Sequence, residues 1–414
     1  MYRLTKRRIY TIISGLLCGV AAMLWVTAMP AMAGSPNKAG TLESYKLVGS
    51  YTSQEIEHLL ATEPGLDNPS NGSGRMNIQE QETKPVKMYR VIYRTPDPKG
   101  KLVRASGLVM VPDPPGLKPP YPLVSFQHGT IKERNHAPSS PRKCVYTPWM
   151  TMFAGYGYVI SMPDYIGMGI SEIRHPYAHA ETEASSSRDM LRAAKTLCSR
   201  LGVQLNGKLF LSGYSQGGRA TMALQRLLEN EHADEFEITA SAPGGGPYDH
   251  FLFWTSGLKN PNKTSTVVAA YMLVAYNRIY GLWKEAGEVF KDPYYKYVDS
   301  LFDGKHSEPY IEKKLPNSLP ELLHTEFIEQ FNQGLNSTYV AFVANSTNTW
   351  RPEAPTRLFH ASGDEACSFQ QAVLTARFMK SLGANVRVVD VGDYQHVEAF
   401  PYALQATKDW FDTF

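Results

Sequence analysis

Gly213-Tyr214-Ser215-Gln216-Gly217 is the only Gly-x-Ser-x-Gly in the 414-residue chain, and it stands between a short apolar run and an amphipathic one. A serine placed on a tight strand-to-helix turn needs small neighbours, because side chains flanking the turn would collide with the adjoining backbone. Such a turn lifts the hydroxyl clear of the sheet, and the helix N-terminus behind it favours developing negative charge. A serine hydroxyl is nonetheless a poor nucleophile until a base takes its proton. A carboxylate and a histidine are therefore expected downstream, in the order serine, acid, histidine.

Two short segments supply them. Asp364 closes His360-Ala361-Ser362-Gly363-Asp364 just past an apolar run, with Glu365 beside it as a substitute acid. His396, in Asp393-Tyr394-Gln395-His396-Val397, is the only histidine after His360. The plainer alternatives are a turn-forming loop aspartate and a surface histidine. The expected catalytic set is Ser215, Asp364 and His396. The backbone N–H groups of Thr130 and Gln216 are the expected oxyanion donors, with Gly129 as fallback, since Gln127-His128-Gly129-Thr130 ends the first apolar strand. His128 reads as structural, and Asp164 in Pro163-Asp164-Tyr165 reads as a residue that orders its own loop.

The elements that must position these residues follow from periodicity. Runs 86–94 and 102–111 predict a hairpin across the turn-rich Thr95-Pro96-Asp97-Pro98-Lys99-Gly100. Strands are then predicted over 123–126, 158–162, 209–212, 238–242, 357–361 and 386–391. Helices are predicted over 187–201, after Ser215, over 370–382 and over 401–411. Met190, Leu191, Ala194, Leu197, Cys198 and Leu201 share one face of the first of these helices, and Gly202 is its stop. Alternating strands and helices imply an α/β fold with a mostly parallel sheet covered on both faces, and its chemistry sits at the carboxyl ends of the strands. The helical, aromatic stretch 248–355 is too long for a plain connection and predicts a cap inserted over the Ser215 edge of the sheet. Most of its aromatics are expected in the cap's own core, with a minority lining an apolar channel to Ser215. Residues 34–84, polar with one short helix near 53–61, read as an N-terminal arm.

Four basic residues, Arg3, Lys6, Arg7 and Arg8, precede the apolar run 9–26 and the Ala31-Met32-Ala33 cleavage pattern. That is the layout of a secretory signal peptide over residues 1–33, the alternative being an uncleaved anchor. Without residues 1–33 the chain holds 38 basic and 39 acidic residues, which removes the electrostatic case for nucleic-acid binding. The longest later apolar run, 267–276, is too short to cross a bilayer. Cys144, Cys198 and Cys367 follow the leader, an odd number that allows at most one internal bridge. Their loop positions favour Cys144 with Cys367. None has metal-ligand spacing.

Together, Phe126-Gln127-His128-Gly129-Thr130, Pro163-Asp164-Tyr165-Ile166-Gly167, His175-Pro176-Tyr177 and Gly213-Tyr214-Ser215-Gln216-Gly217-Gly218 resemble the α/β-hydrolases, within them the secreted lipase/esterase group with a large helical cap. The resemblance runs from about residue 86 to the C-terminus. Cys367-Ser368 departs from the Val-Pro that many relatives carry after the acid loop. The resemblance implies an α/β-hydrolase core over 85–247 and 356–414, and hydrolysis of small-molecule or lipid esters through an acyl-enzyme with no metal or organic cofactor. A serine peptidase or aminoacyl hydrolase of the same fold would need a site for a peptide N-terminus or a propeller domain, and the chain has no repeats to build a propeller. A catalytically dead binding protein is the third reading, which loss of any triad member would have favoured. Oligomeric state is not legible.

Overall fold

A computed structural model describes residues 39–62, 82–113 and 119–414; the predicted leader and much of the predicted arm lie outside them. The chain forms one nine-stranded sheet: β1 (Leu42–Tyr51), β2 (Val86–Pro96), β3 (Leu102–Pro112), β4 (Tyr121–Gln127), β5 (Val159–Pro163), β6 (Leu205–Tyr214), β7 (Ala240–Gly244), β8 (Thr356–His360) and β9 (Val386–Asp390). Their order across the sheet is β1-β2-β3-β5-β4-β6-β7-β8-β9. β1, β2 and β3 pair antiparallel, as do β3 and β5; every pairing from β5 to β9 is parallel. β5 and β7 are buried along their whole length, as strands in a parallel sheet with helices on both faces must be.

The helices are α1 (Ser53–Thr62), α2 (Thr147–Gly155), α3 (Ala180–Arg200) and α4 (Gln216–Glu231), with α12 (Phe369–Ser381) and α13 (Ala399–Phe411) after the cap. One apolar cluster joins Ile56 of α1, Met150 and Phe153 of α2, and Leu404 and Phe411 of α13 to one sheet face. A second joins Leu191, Leu197 and Cys198 of α3, and Leu224 and Leu228 of α4, to the other. Between β7 and β8 the chain leaves the sheet for α5 (His250–Lys259), α6 (Lys263–Tyr280), α7 (Val298–Leu301), α8 (Glu308–Lys314), α9 (Leu319–Leu322), α10 (Thr325–Asn332) and α11 (Ser337–Ala344). These helices bury a separate cluster around Trp254, Tyr271, Tyr276, Phe290 and Phe302.

Three features differ from the sequence expectation. Part of the predicted arm is the edge strand β1, which pairs with β2 from Leu42↔Tyr93 to Tyr51↔Val86. Its residues are mostly exposed, so it carries no apolar alternation to read. Helix α3 starts at Ala180, two turns before the expected start; its first turns bury polar side chains, among them Glu183, Ser186 and Ser187, so no apolar face marks them in the sequence. The Cys144–Cys367 bridge is not formed: Cys144, Cys198 and Cys367 are all free and buried. Cys367 packs into the cap's apolar cluster, whereas Cys144 sits in the loop ahead of α2, outside that cluster.

Candidate active site

Ser215 is the hinge between β6 and α4. Its backbone has φ 61° and ψ −124°, a left-side conformation that costs a non-glycine residue energy and persists only where the surroundings enforce it. The flanking glycines let the surrounding backbone close in on it. A Cβ on Gly217 would stand 1.9 Å from the Gln127 carbonyl oxygen, and one on Gly213 would stand 2.5 Å from that of Gly217. With β4 and β7 paired on either side of β6, the elbow is clamped and the Ser215 hydroxyl stands at the carboxyl edge of the sheet.

Two loops from the following strands converge on that hydroxyl. His396 Nε2 lies 2.8 Å from Ser215 Oγ, and His396 Nδ1 lies 2.7 Å from Asp364 Oδ2. A carboxylate only accepts, so the Asp364 contact places the imidazole proton on Nδ1 and leaves Nε2 as a base facing Ser215. The second oxygen, Asp364 Oδ1, accepts the backbone N–H groups of Ala366 at 3.0 Å and Cys367 at 2.7 Å. Burial works to raise the Asp364 carboxyl, but the hydrogen bonds from His360 and His396 help to outweigh it, and the group is held well below the usual carboxylate range. The carboxylate is therefore ionised at neutral pH.

The histidine loop is itself held. Glu365 Oε2 accepts the His396 backbone N–H at 2.8 Å, and the Tyr214 hydroxyl donates to the His396 carbonyl at 2.7 Å. Glu365, the substitute acid of the sequence reading, thus grips the backbone of His396 while Asp364 faces its ring. Nothing in the local pattern marks Tyr214 for this contact, since it is the variable position of the Gly-x-Ser-x-Gly.

Thr130 and Gln216 both line the pocket that opens on Ser215. Gln216 is the first residue of α4, so its N–H has no partner one turn back in the helix. The Thr130 hydroxyl meets the Tyr177 hydroxyl at 2.7 Å, and Gly129 is buried beneath the Tyr146 hydroxyl, where a Cβ would stand 2.2 Å from that oxygen. The His128 ring nitrogens face the carbonyls of Gly129 at 2.7 Å and Asp164 at 3.2 Å, and a neutral imidazole can donate to only one of them; burial pushes the ring down to about 4 against those two contacts. Asp164 accepts Ser106 Oγ at 2.5 Å and the Ser139 N–H at 2.7 Å, tying its loop to β3 and to the loop that follows β4.

The pocket has a volume of about 450 Å³, and Tyr146, Trp149 and Phe400 from the core and Phe253 from the cap supply its aromatic walls. Val145, in the loop ahead of α2, and Val397, next to His396, stand at it with 70% and 79% exposure and give it an apolar rim. One ion pair also lines it, Lys132 from the segment after Thr130 with Glu308 of α8, which couples the Thr130 loop to the cap. Sequence periodicity cannot single out Tyr146, Trp149 or Phe400, because a residue lining a pocket and one filling a core carry the same apolar signal. Among the described residues no cluster of His, Cys, Asp or Glu is arranged to hold a metal ion, and no helix is long and apolar enough to cross a membrane.

No protein-family model matches the chain. It is similar to the secreted triacylglycerol lipase LIP6 of Malassezia globosa, 26% identical over 311 residues that cover 70% of this chain and 50% of the lipase, so it spans about half the length of that curated relative. Its fold superimposes on a ligand-bound form of the rice cell wall degrading esterase LipA of Xanthomonas oryzae, with 30% identity, 90% of this chain and 96% of that chain covered, and a TM-score of 0.77. A Legionella pneumophila protein assigned as a hydrolase gives a TM-score of 0.82 at 29% identity, covering 90% of this chain and 97% of that one.

Proposed function

The chain belongs to the lipase/esterase group of the α/β-hydrolases, and on that premise we propose that it is an exported serine carboxylic-ester hydrolase acting on apolar acyl esters. The observation that carries the reading is the unbroken relay of 2.8 Å from Ser215 Oγ to His396 Nε2 and 2.7 Å from His396 Nδ1 to Asp364, set on a strained elbow at the floor of an apolar pocket. Export rests on the leader pattern of residues 1–33 and on the similarity to a secreted lipase.

The chemistry then runs as follows. His396 Nε2 takes the Ser215 proton as Oγ bonds to the ester carbonyl carbon. The carbonyl oxygen becomes an oxyanion that the N–H groups of Thr130 and Gln216 and the α4 N-terminus stabilise. The imidazolium, held by Asp364, returns its proton to the leaving alcohol, and the acyl group stays on Ser215. Water, deprotonated by the same Nε2, releases the acid and regenerates the hydroxyl.

Acyl preference follows from the walls. Each acyl methylene buried against Tyr146, Trp149, Phe253 and Phe400 contributes about 0.8 kcal/mol, so four of them favour a longer chain by about 3 kcal/mol, roughly a hundredfold in kcat/KM. Medium or long p-nitrophenyl esters are expected to be cleaved faster than acetate, and Phe253→Ser should flatten that gradient. An acetate-favouring series would leave a short-chain esterase, and faster cleavage of aminoacyl amides than of any ester would move the protein to the peptidase reading.

A further inference from the structure

Asp364 faces a second histidine that the reaction scheme leaves unused. His360 is the last residue of β8 and has no exposed surface. Its Nε2 lies 2.6 Å from the Cys367 carbonyl oxygen and 3.3 Å from Asp364 Oδ2, the same oxygen that accepts the His396 Nδ1–H. A carbonyl can only accept, so the Cys367 contact places the proton on Nε2 and aims it between the two oxygens. His360 Nδ1 has no partner among the described residues. With Ala366 and Cys367 donating to Oδ1, the carboxylate is surrounded by donors, and two imidazoles divide Oδ2 between them.

We propose that His360 is a positioning residue of the triad: its Nε2–H fixes the rotamer of Asp364, ties the Cys367 end of the acid loop to β8, and takes up part of the negative charge that would otherwise bear on His396. The inference rests on the Ser215–His396–Asp364 reading. Losing the His360 donor concentrates charge on the oxygen that faces His396, so the imidazolium is favoured and the base is protonated at higher pH. The acid limb of the kcat profile therefore moves up. Freedom of Asp364 to rotate lowers kcat at the plateau, whereas KM is unmoved because His360 does not line the pocket.

Few other charges face this cluster. Burial keeps the Tyr214 and Tyr248 phenols and the Cys367 thiol in their neutral forms. Glu365 is engaged with the His396 N–H on the same loop, Asp390 at the end of β9 accepts the Ser362 N–H at 3.2 Å, and Asp393 approaches Gly363. These carboxylates are present in every variant below, so a displaced profile reports the His360 contact.

The test uses the full-length protein with His360→Leu, His360→Asn and His360→Gln, each corrected for active fraction by titration with a fluorophosphonate. The glutamine amide can reach the position of Nε2, whereas the asparagine amide reaches only that of Nδ1. Leu and Asn are expected to lower kcat about tenfold and to raise the acid limb by about half a pH unit at constant KM, while Gln stays within about threefold of wild type. If the three variants keep the wild-type profile and differ only in melting temperature, or if Asn performs as well as Gln, His360 is a packing residue and the proposal fails. A wild-type protein that the fluorophosphonate does not label at Ser215 would instead overturn the triad reading itself.

Discussion

Ser215→Ala is expected to fold normally and to lose ester hydrolysis by about six orders of magnitude in kcat, because it removes the hydroxyl that faces His396 Nε2 and would form the acyl-enzyme. His396→Ala should lose about as much, and the double variant little more, since the members of a triad act as one unit. Asp364→Asn is expected to cost about 10⁴ in kcat: an amide cannot accept from both His396 Nδ1 and the two backbone donors while keeping the imidazole in its productive tautomer. Glu365 is not placed to rescue it, because its carboxylate already accepts the His396 backbone N–H. Measured kcat values on a p-nitrophenyl ester check all three. Near-wild-type turnover in any one of them removes that residue from the relay, and a mild Asp364 phenotype would show that Glu365 swings in.

The second large effect is on stability. Behind the elbow, Glu183 of α3 and Arg219 of α4 form an ion pair with no exposed surface on the arginine and almost none on the glutamate. Glu183 Oε1 also accepts the Gln216 side-chain amide at 2.6 Å and the Ala178 N–H at 3.2 Å, while Arg219 Nη1 donates to the Asn345 carbonyl just after α11, near the end of the cap. The pair thus fastens α4 behind Ser215, the helix α3 before it and the end of the cap at one point. Burial works to lower the Arg219 guanidinium, so the cation depends on its partner. Glu183→Leu, which leaves Arg219 buried and unpaired, should cost about 3–5 kcal/mol, and the double variant Glu183→Leu/Arg219→Leu should recover much of that loss. Urea unfolding of both variants decides it. A double variant no more stable than the single one would mean that the glutamate matters for its hydrogen bonds to Gln216 and Ala178 and not for the charge it neutralises.

Much of this was open to reading in the chain because the relevant signals are local. The glycines around Ser215 advertise the elbow, since only close backbone approach requires them there, and the chain order of serine, acid and histidine picks Asp364 and His396 from many candidates. Buried parallel strands show as short apolar runs, and the cap shows as a stretch too long to be a loop. What escaped has a common physical cause. The edge strand β1 is mostly exposed and the nearly fully buried α2 has no polar face, so neither carries periodicity. The first turns of α3 bury Glu183 against Arg219, a partnership between residues 36 apart that no window along the sequence reveals. His360 and Tyr214 act through contacts with Asp364 and with His396 that exist only once three loops have converged.

The most direct measurement is covalent labelling of the intact protein with a fluorophosphonate, followed by digestion and peptide mass spectrometry. The relay described above predicts one adduct, on Ser215 in the peptide that joins β6 to α4, with ester hydrolysis lost in proportion to labelling and no adduct on the Ser215→Ala protein. An adduct on another residue, or a protein that hydrolyses esters at full rate after Ser215 is blocked, would contradict it.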